Sequence, residues 1–261
     1  MPASAGMYYF QAHKSLTALL PVVLLHGAGG SHLSWPAEVR HLADQRIYAL
    51  DLPGHGKSQA REGQQSIGGY ARLVLEWLDS LKLPQAVFIG HSMGSALALA
   101  LAIHHPERVL AIGLIGSGVR LRVHPELLAA ASSPTSYLRA VELLVSRSFS
   151  RHASPRLVEL AGQRMAETRQ SVLYGDLLAC NTFDVSQQIT RVRQPTLVMC
   201  GIDDQMTPIR YAQYLADAIP AARLQLIPAA GHMLMLEQPQ ATAATLDAWL
   251  KTIPYHPGEV A

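Results

Sequence analysis

The chain has 261 residues, a length that suits one domain with room for an insertion. Hydrophobic residues make up 49% of it and charged residues 15%; the usual charged share is about 25%, so a disordered or solvating chain is excluded. Lys and Arg number 21 against 19 Asp and Glu, too small an excess for the electrostatic footprint of a nucleic-acid binder.

In chain order, residues 8–10 (Tyr-Tyr-Phe) read as an extra edge strand. Residues 21–25 (PVVLL) form a continuous apolar run, as expected of a strand buried on both faces. A short helical pattern follows at 37–44 and a second strand at 45–50. Residues 66–81 form a longer helix, with Ile67, Tyr70, Leu73, Val74, Trp77, Leu78 and Leu81 along one apolar face. Strand 86–89, helix 93–105 and strand 109–115 continue the alternation. It resumes with strand 196–200, helix 209–218, strand 223–227 and helix 238–251. Strands alternating with helices predict an α/β fold, a mostly parallel sheet with helices on both faces. Between Gly116 and about Arg191 the pattern is helical only, punctuated by Pro125, Pro134 and Pro155. Residues 117–190 are therefore expected to be a helical insertion, and 1–116 with 191–261 the α/β core.

No apolar run reaches the roughly 18–20 residues that span a bilayer. The start, MPASAGMYYFQAHK, lacks the basic and apolar regions of a secretory signal. Cys180 and Cys200 match no zinc or redox spacing and read as free thiols packed as small hydrophobes. A cytoplasmic protein with no membrane and no nucleic-acid partner is expected.

The chemistry concentrates after strand ends. Gly90-His91-Ser92-Met93-Gly94 is G-x-S-x-G between a strand and a helix, the setting of a nucleophile elbow. A serine hydroxyl needs a base, and the base needs an acid to orient it. Just past the strand at 196–200 come Asp203 and Asp204. Just past the last strand comes Gly231-His232. Both lie where open α/β sheets place their sites. The glycine-rich turn His26-Gly-Ala-Gly-Gly30 follows the strand at 21–25 and would supply one oxyanion donor beside the Met93 amide. It is neither G-x-G-x-x-G nor G-x-x-x-x-G-K-[ST], so a dinucleotide or P-loop phosphate site is unsupported. No histidine cluster has metal-ligand spacing, and neither a metal nor a cofactor is expected.

HGAGG at 26–30, DLPGHGKS at 51–58, GHSMG at 90–94, GIDDQMTP at 201–208 and GHMLMLEQP at 231–239 together resemble the α/β-hydrolase-fold enzymes over essentially all of the chain outside 117–190. The resemblance implies Ser92 as nucleophile, Asp204 rather than Asp203 as acid, and His232 as base. It implies Ala28 and Met93 as oxyanion donors, with Gly29 the competitor for the first place. It makes the insertion a cap over the serine. Serine at position 92 sets aside the dehalogenases and epoxide hydrolases of this fold, whose nucleophile is aspartate. The chain looks most like small capped serine carboxylesterases, including those that cleave pimeloyl-carrier methyl esters. Perhydrolases, lactonases and C–C bond hydrolases share the same trio, and a non-catalytic receptor is a further alternative.

His91, Trp35, Met206, Met233 and Leu234 are the candidate pocket residues, each with ordinary packing as its competing role. His26 and His55 read as loop-shaping. The basic residues of the insertion are all arginine, from Arg120 to Arg169; they suggest either a solvated surface or a dock for an acidic acyl carrier. The expected substrate is a small-molecule ester.

Overall fold

The apolar runs read as strands pair into one eight-stranded sheet in the computed structural model, which describes residues 3–12 and 19–255. Part of the N-terminal stretch read above (residues 1–2 and 13–14) lies outside them. The strands are β1 (Ala3–Ser4), β2 (Met7–Gln11), β3 (Leu20–Leu25), β4 (Gln45–Leu50), β5 (Ala86–His91), β6 (Val109–Ile115), β7 (Thr196–Gly201) and β8 (Ala222–Ile227), in spatial order β1-β2-β4-β3-β5-β6-β7-β8. Neighbours from β4 through β3 to β8 run parallel. β2 joins β4 antiparallel, and the short β1, which the sequence pattern did not show, joins β2.

The order reverses between β3 and β5: the chain builds outward from β3 to β4, then returns to lay β5 on the other side of β3. In an open parallel sheet such a reversal opens a crevice at the carboxyl strand ends. The glycine-rich turn after β3 and the serine turn after β5 sit on its two sides.

Alternate strand residues face opposite ways, so each buried strand feeds two cores. Val22, Leu24, Ile47, Val87 and Ile89 point to one side, where α1 (Ala37–Arg40) and α10 (Pro239–Leu250) bring Val39, Leu246 and Trp249. Val23, Leu25, Leu50 and Phe88 point to the other, against α2 (Ile67–Ser80), α3 (Met93–His104) and α8 (Ile209–Ala218). α2 begins at Ser66, whose side chain accepts from the Gly69 N–H, and it buries the predicted face from Ile67 to Leu78. α3 is apolar all round because it is covered all round, by the sheet, α2 and a helix of the insertion. The helix expected over 37–44 stops at Arg40. His41 leaves the helical region (φ −118, ψ 30), since the chain must turn Leu42 inward and reach β4 at Gln45.

Between β6 and β7 lie α4 (Pro125–Ala131), α5 (Tyr137–Ser148), α6 (Pro155–Ala166) and α7 (Gln170–Thr182). Leu127, Ala131, Ala140, Leu144, Leu173 and Leu177 give this insertion a small core of its own. α6 has an apolar face but no fully buried residue. Leu157, Leu160, Ala161 and Met165 look instead into a cavity. No helix among the described residues is long and apolar enough to cross a membrane.

One buried charge holds the loop after β4. Asp51 accepts from the His32 N–H (2.7 Å), the His32 ring (2.8 Å) and the Lys57 N–H (2.8 Å). Burial disfavours its carboxylate, but these donors outweigh that and hold its pKa below the ordinary value. A depressed folded pKa contributes stability above the unfolded pKa, and that stability is lost as pH falls through the folded one. Asp51→Asn is therefore expected to lower stability to urea by about 2–3 kcal/mol at pH 7. The gap from wild type should narrow as the pH falls through the acid range; a gap independent of pH would contradict this assignment.

Candidate active site

The loop from β5 to α3 has no spare residue: β5 ends at His91 and α3 begins at Met93. Ser92 alone makes the turn at φ 52, ψ −114, a conformation that costs a residue with a Cβ about 1–3 kcal/mol. It is fixed by its N–H donating to the Ile115 carbonyl (2.9 Å) and its carbonyl accepting from the Ser95 and Ala96 amides. The flanking glycines are there for room. A Cβ on Gly90 would stand 2.0 Å from the Gly94 carbonyl oxygen, and one on Gly94 would stand 2.1 Å from that of Leu25. Backbone meets backbone at both places, so neither contact relaxes by a side-chain rotation.

The loop after β7 supplies a buried carboxylate. Asp204 Oδ1 accepts from the Met206 N–H (2.9 Å) and the Thr207 N–H (2.8 Å). Oδ2 accepts from the Thr207 hydroxyl (2.8 Å) and from His232 Nδ1 (2.9 Å). Burial opposes the charge on Asp204, yet the imidazole and the Thr207 donors keep its pKa below the ordinary value. Asp203 offers its backbone N–H to Ala230 instead; spacing left the two aspartates undecided, and the imidazole contact separates them.

His232 follows β8. Its Nδ1 faces a carboxylate oxygen, so Nδ1 carries the proton and Nε2 presents a lone pair. Nε2 is buried and has no hydrogen-bond partner among the described residues, the Ser92 hydroxyl included. Bonds of this kind are often long without substrate and tighten in the complex. Ser92 and His232 line one cavity.

His91, expected at the pocket, does line it. It also braces His232: its Nε2–H donates to the His232 carbonyl (3.0 Å), with ring centroids 4.8 Å apart. Burial and the neighbouring His232 push its pKa down to about 3, so it packs there neutral. Met206 and Met233 line the cavity too. Trp35 and Leu234 do not. Both are wholly buried in the core on the α1/α10 side of the sheet, Trp35 just before α1 and Leu234 as the first residue of the short α9 (Leu234–Glu237), whose inner face it forms with Met235.

The turn after β3 offers its amides unequally. The Gly29 N–H donates to Asp176 Oδ2 (2.9 Å) and the Gly30 N–H to the Gly27 carbonyl (3.0 Å). The Ala28 N–H makes no such bond among the described residues, and the Met93 N–H, first in α3, has no intrahelical acceptor. Beneath the turn, His26 donates from Nδ1 to the Gly27 carbonyl (2.8 Å) and accepts the Leu52 N–H at Nε2 (3.1 Å). Burial and nearby His55 lower its pKa to about 4, so it is a neutral brace.

Three residues that the sequence reading passed over hold this site together. Thr207 bonds both Asp204 and His232 (3.2 Å to Nδ1). Glu237 takes the Gly231 N–H (2.8 Å) and the Ser150 N–H (2.9 Å), tying the histidine loop to the insertion. Asp176, fully buried on α7, takes the Gly29 N–H, the His55 ring (2.8 Å) and the Tyr70 hydroxyl (2.6 Å). Only Thr207 had a local signal, its place in the loop beside Asp204.

The cavity measures about 730 Å³ and is walled by apolar side chains of the insertion, among them Leu127, Leu144, Leu160, Met165 and Leu177. Cys180 and Cys200 are free and buried. Burial, and secondarily Asp204, push the Cys200 thiol up to about 12, and burial raises Cys180 likewise. No group of three or more metal-ligating side chains occurs among the described residues.

The profile of the alpha/beta hydrolase fold family matches residues 21–239. A protein of Pseudomonas syringae pv. syringae (strain B728a), provisionally named a carbamate hydrolase, is 30% identical over 244 residues, or 89% of this chain and 94% of its own length. The 3-oxoadipate enol-lactonase 2 of Acinetobacter baylyi is 28% identical over 239 residues, or 88% and 89%. A solved structure of a thermophilic esterase superposes with a TM-score of 0.80 at 30% identity, covering 95% of this chain and 94% of that one.

Proposed function

Since the chain belongs to the α/β-hydrolase fold family, we propose that it is a serine hydrolase that cleaves small or medium carboxylic esters through an acyl-enzyme. One observation carries this reading. A serine held at φ 52 shares a cavity with an imidazole whose Nδ1 is fixed by Asp204 and whose buried Nε2 lacks a partner. An unsatisfied buried acceptor costs about 1–3 kcal/mol, and the Ser92 hydroxyl turning onto Nε2 removes that cost.

In the proposed cycle His232 Nε2 takes the Ser92 proton as Oγ attacks the ester carbonyl. The oxygen of the tetrahedral adduct becomes an anion, received by the Ala28 and Met93 amides. Gly29 is the weaker competitor for this role because its N–H is already given to Asp176. The adduct collapses and the alcohol leaves with the proton from His232. Water, deprotonated by the same nitrogen, then releases the acid and restores Ser92. Asp204 remains ionised throughout and stabilises the imidazolium. These steps call on no cofactor.

The insertion acts as the cap, and its apolar wall takes the acyl chain. A cavity of about 730 Å³ lies within the usual range for one small ligand. Lactone cleavage is the second reading, favoured by the relative named an enol-lactonase; a lactone is a cyclic ester whose leaving alcohol stays tethered. A panel of p-nitrophenyl esters of rising chain length, with a γ-lactone and an aryl carbamate beside them, tests both. Turnover should peak at short to medium chains. Turnover of none of the panel would defeat the proposal, and a clear preference for the lactone would select the second reading.

The two free buried thiols fit a reducing, cytoplasmic setting. An acidic acyl carrier docking on the cap finds little support. Arg120 and Arg122 pair with Asp184, Arg139 with Glu126 and Glu142, Arg156 with Glu159, and Arg164 with Glu167. The expected result is that KM for a carrier-linked ester changes little with salt. A KM rising steeply with salt and with Arg147→Ala, a residue that lines the cavity and has no ion pair among the described residues, would restore the carrier as substrate.

A further inference from the structure

Gly29 is gripped by the insertion on both sides of its residue. Its N–H donates to Asp176 Oδ2 (2.9 Å) and its carbonyl accepts from the Thr168 hydroxyl (3.0 Å), both contacts buried. A Cβ at Gly29, where φ is +66, would meet Leu173 at 3.0 Å and Met165 at 3.2 Å, so the same insertion packs directly over it. Asp176 and Thr168 are in turn held fast. Asp176 also takes the Tyr70 hydroxyl of α2 and the His55 ring of the loop after β4. His55 Nδ1 faces the Pro53 carbonyl (3.1 Å). A carbonyl only accepts, so His55 donates from both nitrogens and meets Asp176 as an imidazolium. The carbonyl of Thr168 accepts from the Tyr137 hydroxyl.

None of these groups takes part in a step of the cycle proposed above. What they share is Gly29, the residue that follows Ala28. The Gly29 N–H belongs to the peptide unit that follows Ala28 and the Gly29 carbonyl to the next one, so holding both restrains the turn backbone, the Ala28 ψ included, from which the Ala28 N–H is aimed. Oxyanion donors must stand within about 2.7–3.1 Å of where the charge develops, and a displacement of about 1 Å is enough to lose about 100-fold in rate.

We propose that Asp176 and Thr168 are positioning residues through which the helical insertion holds the oxyanion turn in its working shape. The cap then builds part of the catalytic machinery besides covering it. This rests on the reading of Ala28 as an oxyanion donor. It also sets a condition on any cap opening: an opening that breaks the two Gly29 contacts disarms the serine until it closes.

The test compares Asp176→Ala, Asp176→Asn and Thr168→Val with the full-length wild type. Readouts are kcat and KM for the best ester of the panel, Ki for a trifluoromethyl ketone, and amide hydrogen exchange over residues 26–31. The ketone adds Ser92 and places an anionic oxygen where the hole must bind it. Asp176→Ala should lower kcat by about 30- to 300-fold, leave KM within about threefold, raise the ketone Ki by a factor comparable with the kcat loss, and speed exchange over 26–31. Thr168→Val, which removes one hydroxyl and keeps the shape, should move every readout the same way by about three- to tenfold. Asp176→Asn should keep most of kcat, because its amide oxygen in the place of Oδ2 still accepts from Gly29.

Wild-type kcat and exchange in both Asp176→Ala and Thr168→Val would overturn the proposal. So would a kcat loss with KM rising in proportion and the ketone Ki unchanged, the mark of a merely loosened pocket. If Asp176→Ala does not fold, Thr168→Val decides. If the wild type turns over no ester, the functional reading fails, while exchange over 26–31 still reports whether the insertion holds the turn.

Discussion

Ser92→Ala is expected to lower kcat for the preferred ester by about 10⁴-fold or more while leaving the fold intact. Labelling by a fluorophosphonate should disappear with it. The effect is this large because in the proposed cycle that hydroxyl forms the acyl bond. The turn around it does not depend on that hydroxyl: it is made by backbone contacts to Ile115, Ser95 and Ala96 and by the room at Gly90 and Gly94. Circular dichroism and thermal melting should therefore match the wild type. Turnover within about tenfold of wild type in this variant would remove the serine mechanism.

Asp204→Asn should cost about 10⁴-fold in kcat, through the tautomer of a neighbour. Two amides, those of Met206 and Thr207, donate to Oδ1. An asparagine must keep its oxygen on that side to satisfy them. Its NH₂ then falls where Oδ2 was, facing His232 Nδ1. A donor there requires Nδ1 to present its lone pair, so the proton moves to Nε2 and the base is disarmed. The prediction is checked by pre-steady-state acylation and by the ¹⁵N shifts of the imidazole, which should report the Nε2–H form. Unchanged tautomer and unchanged acylation would show that Asp204 does not orient the base. The depressed pKa of Asp204 keeps it ionised as pH falls, so its own protonation should not limit kcat/KM until the pH is below the ordinary carboxylate range.

The parts of this molecule that were legible in the sequence are those encoded by near neighbours. The apolar runs of β3 to β7, the face of α2 and the G-x-S-x-G turn each depend on residues within a few positions of one another. The elbow was the clearest case: two glycines and a serine between strand and helix already imply a crowded turn, and the coordinates show what crowds it. The shortened α1 and the added β1 lay at the limits of such reasoning, because tertiary demands decide where short elements stop.

The site was legible in its parts. Spacing placed an acid and a histidine after the last two strands; Asp203 and Asp204 are adjacent, so spacing did not choose between them, the motif resemblance pointed to Asp204, and the 2.9 Å contact to His232 Nδ1 is made by Asp204. Ala28 and Gly29 were separated by a carboxylate on α7, 147 residues away from Gly29 in the chain. Trp35 and Leu234 sit beside site residues in sequence and point away from them in space.

By itself the sequence determined the fold class, the helical insertion and the residue types available for acyl transfer. Periodicity and turn chemistry are local, and they survive in a one-dimensional string. The tertiary structure supplied the contact by which Asp204, the aspartate the motif pointed to, meets the imidazole, and it alone decided which glycine-turn amide stays free and that the insertion grips Gly29 through Asp176 and Thr168. Hydrogen bonds act over about 3 Å, and which distant residues come that close is set by the packing of whole layers.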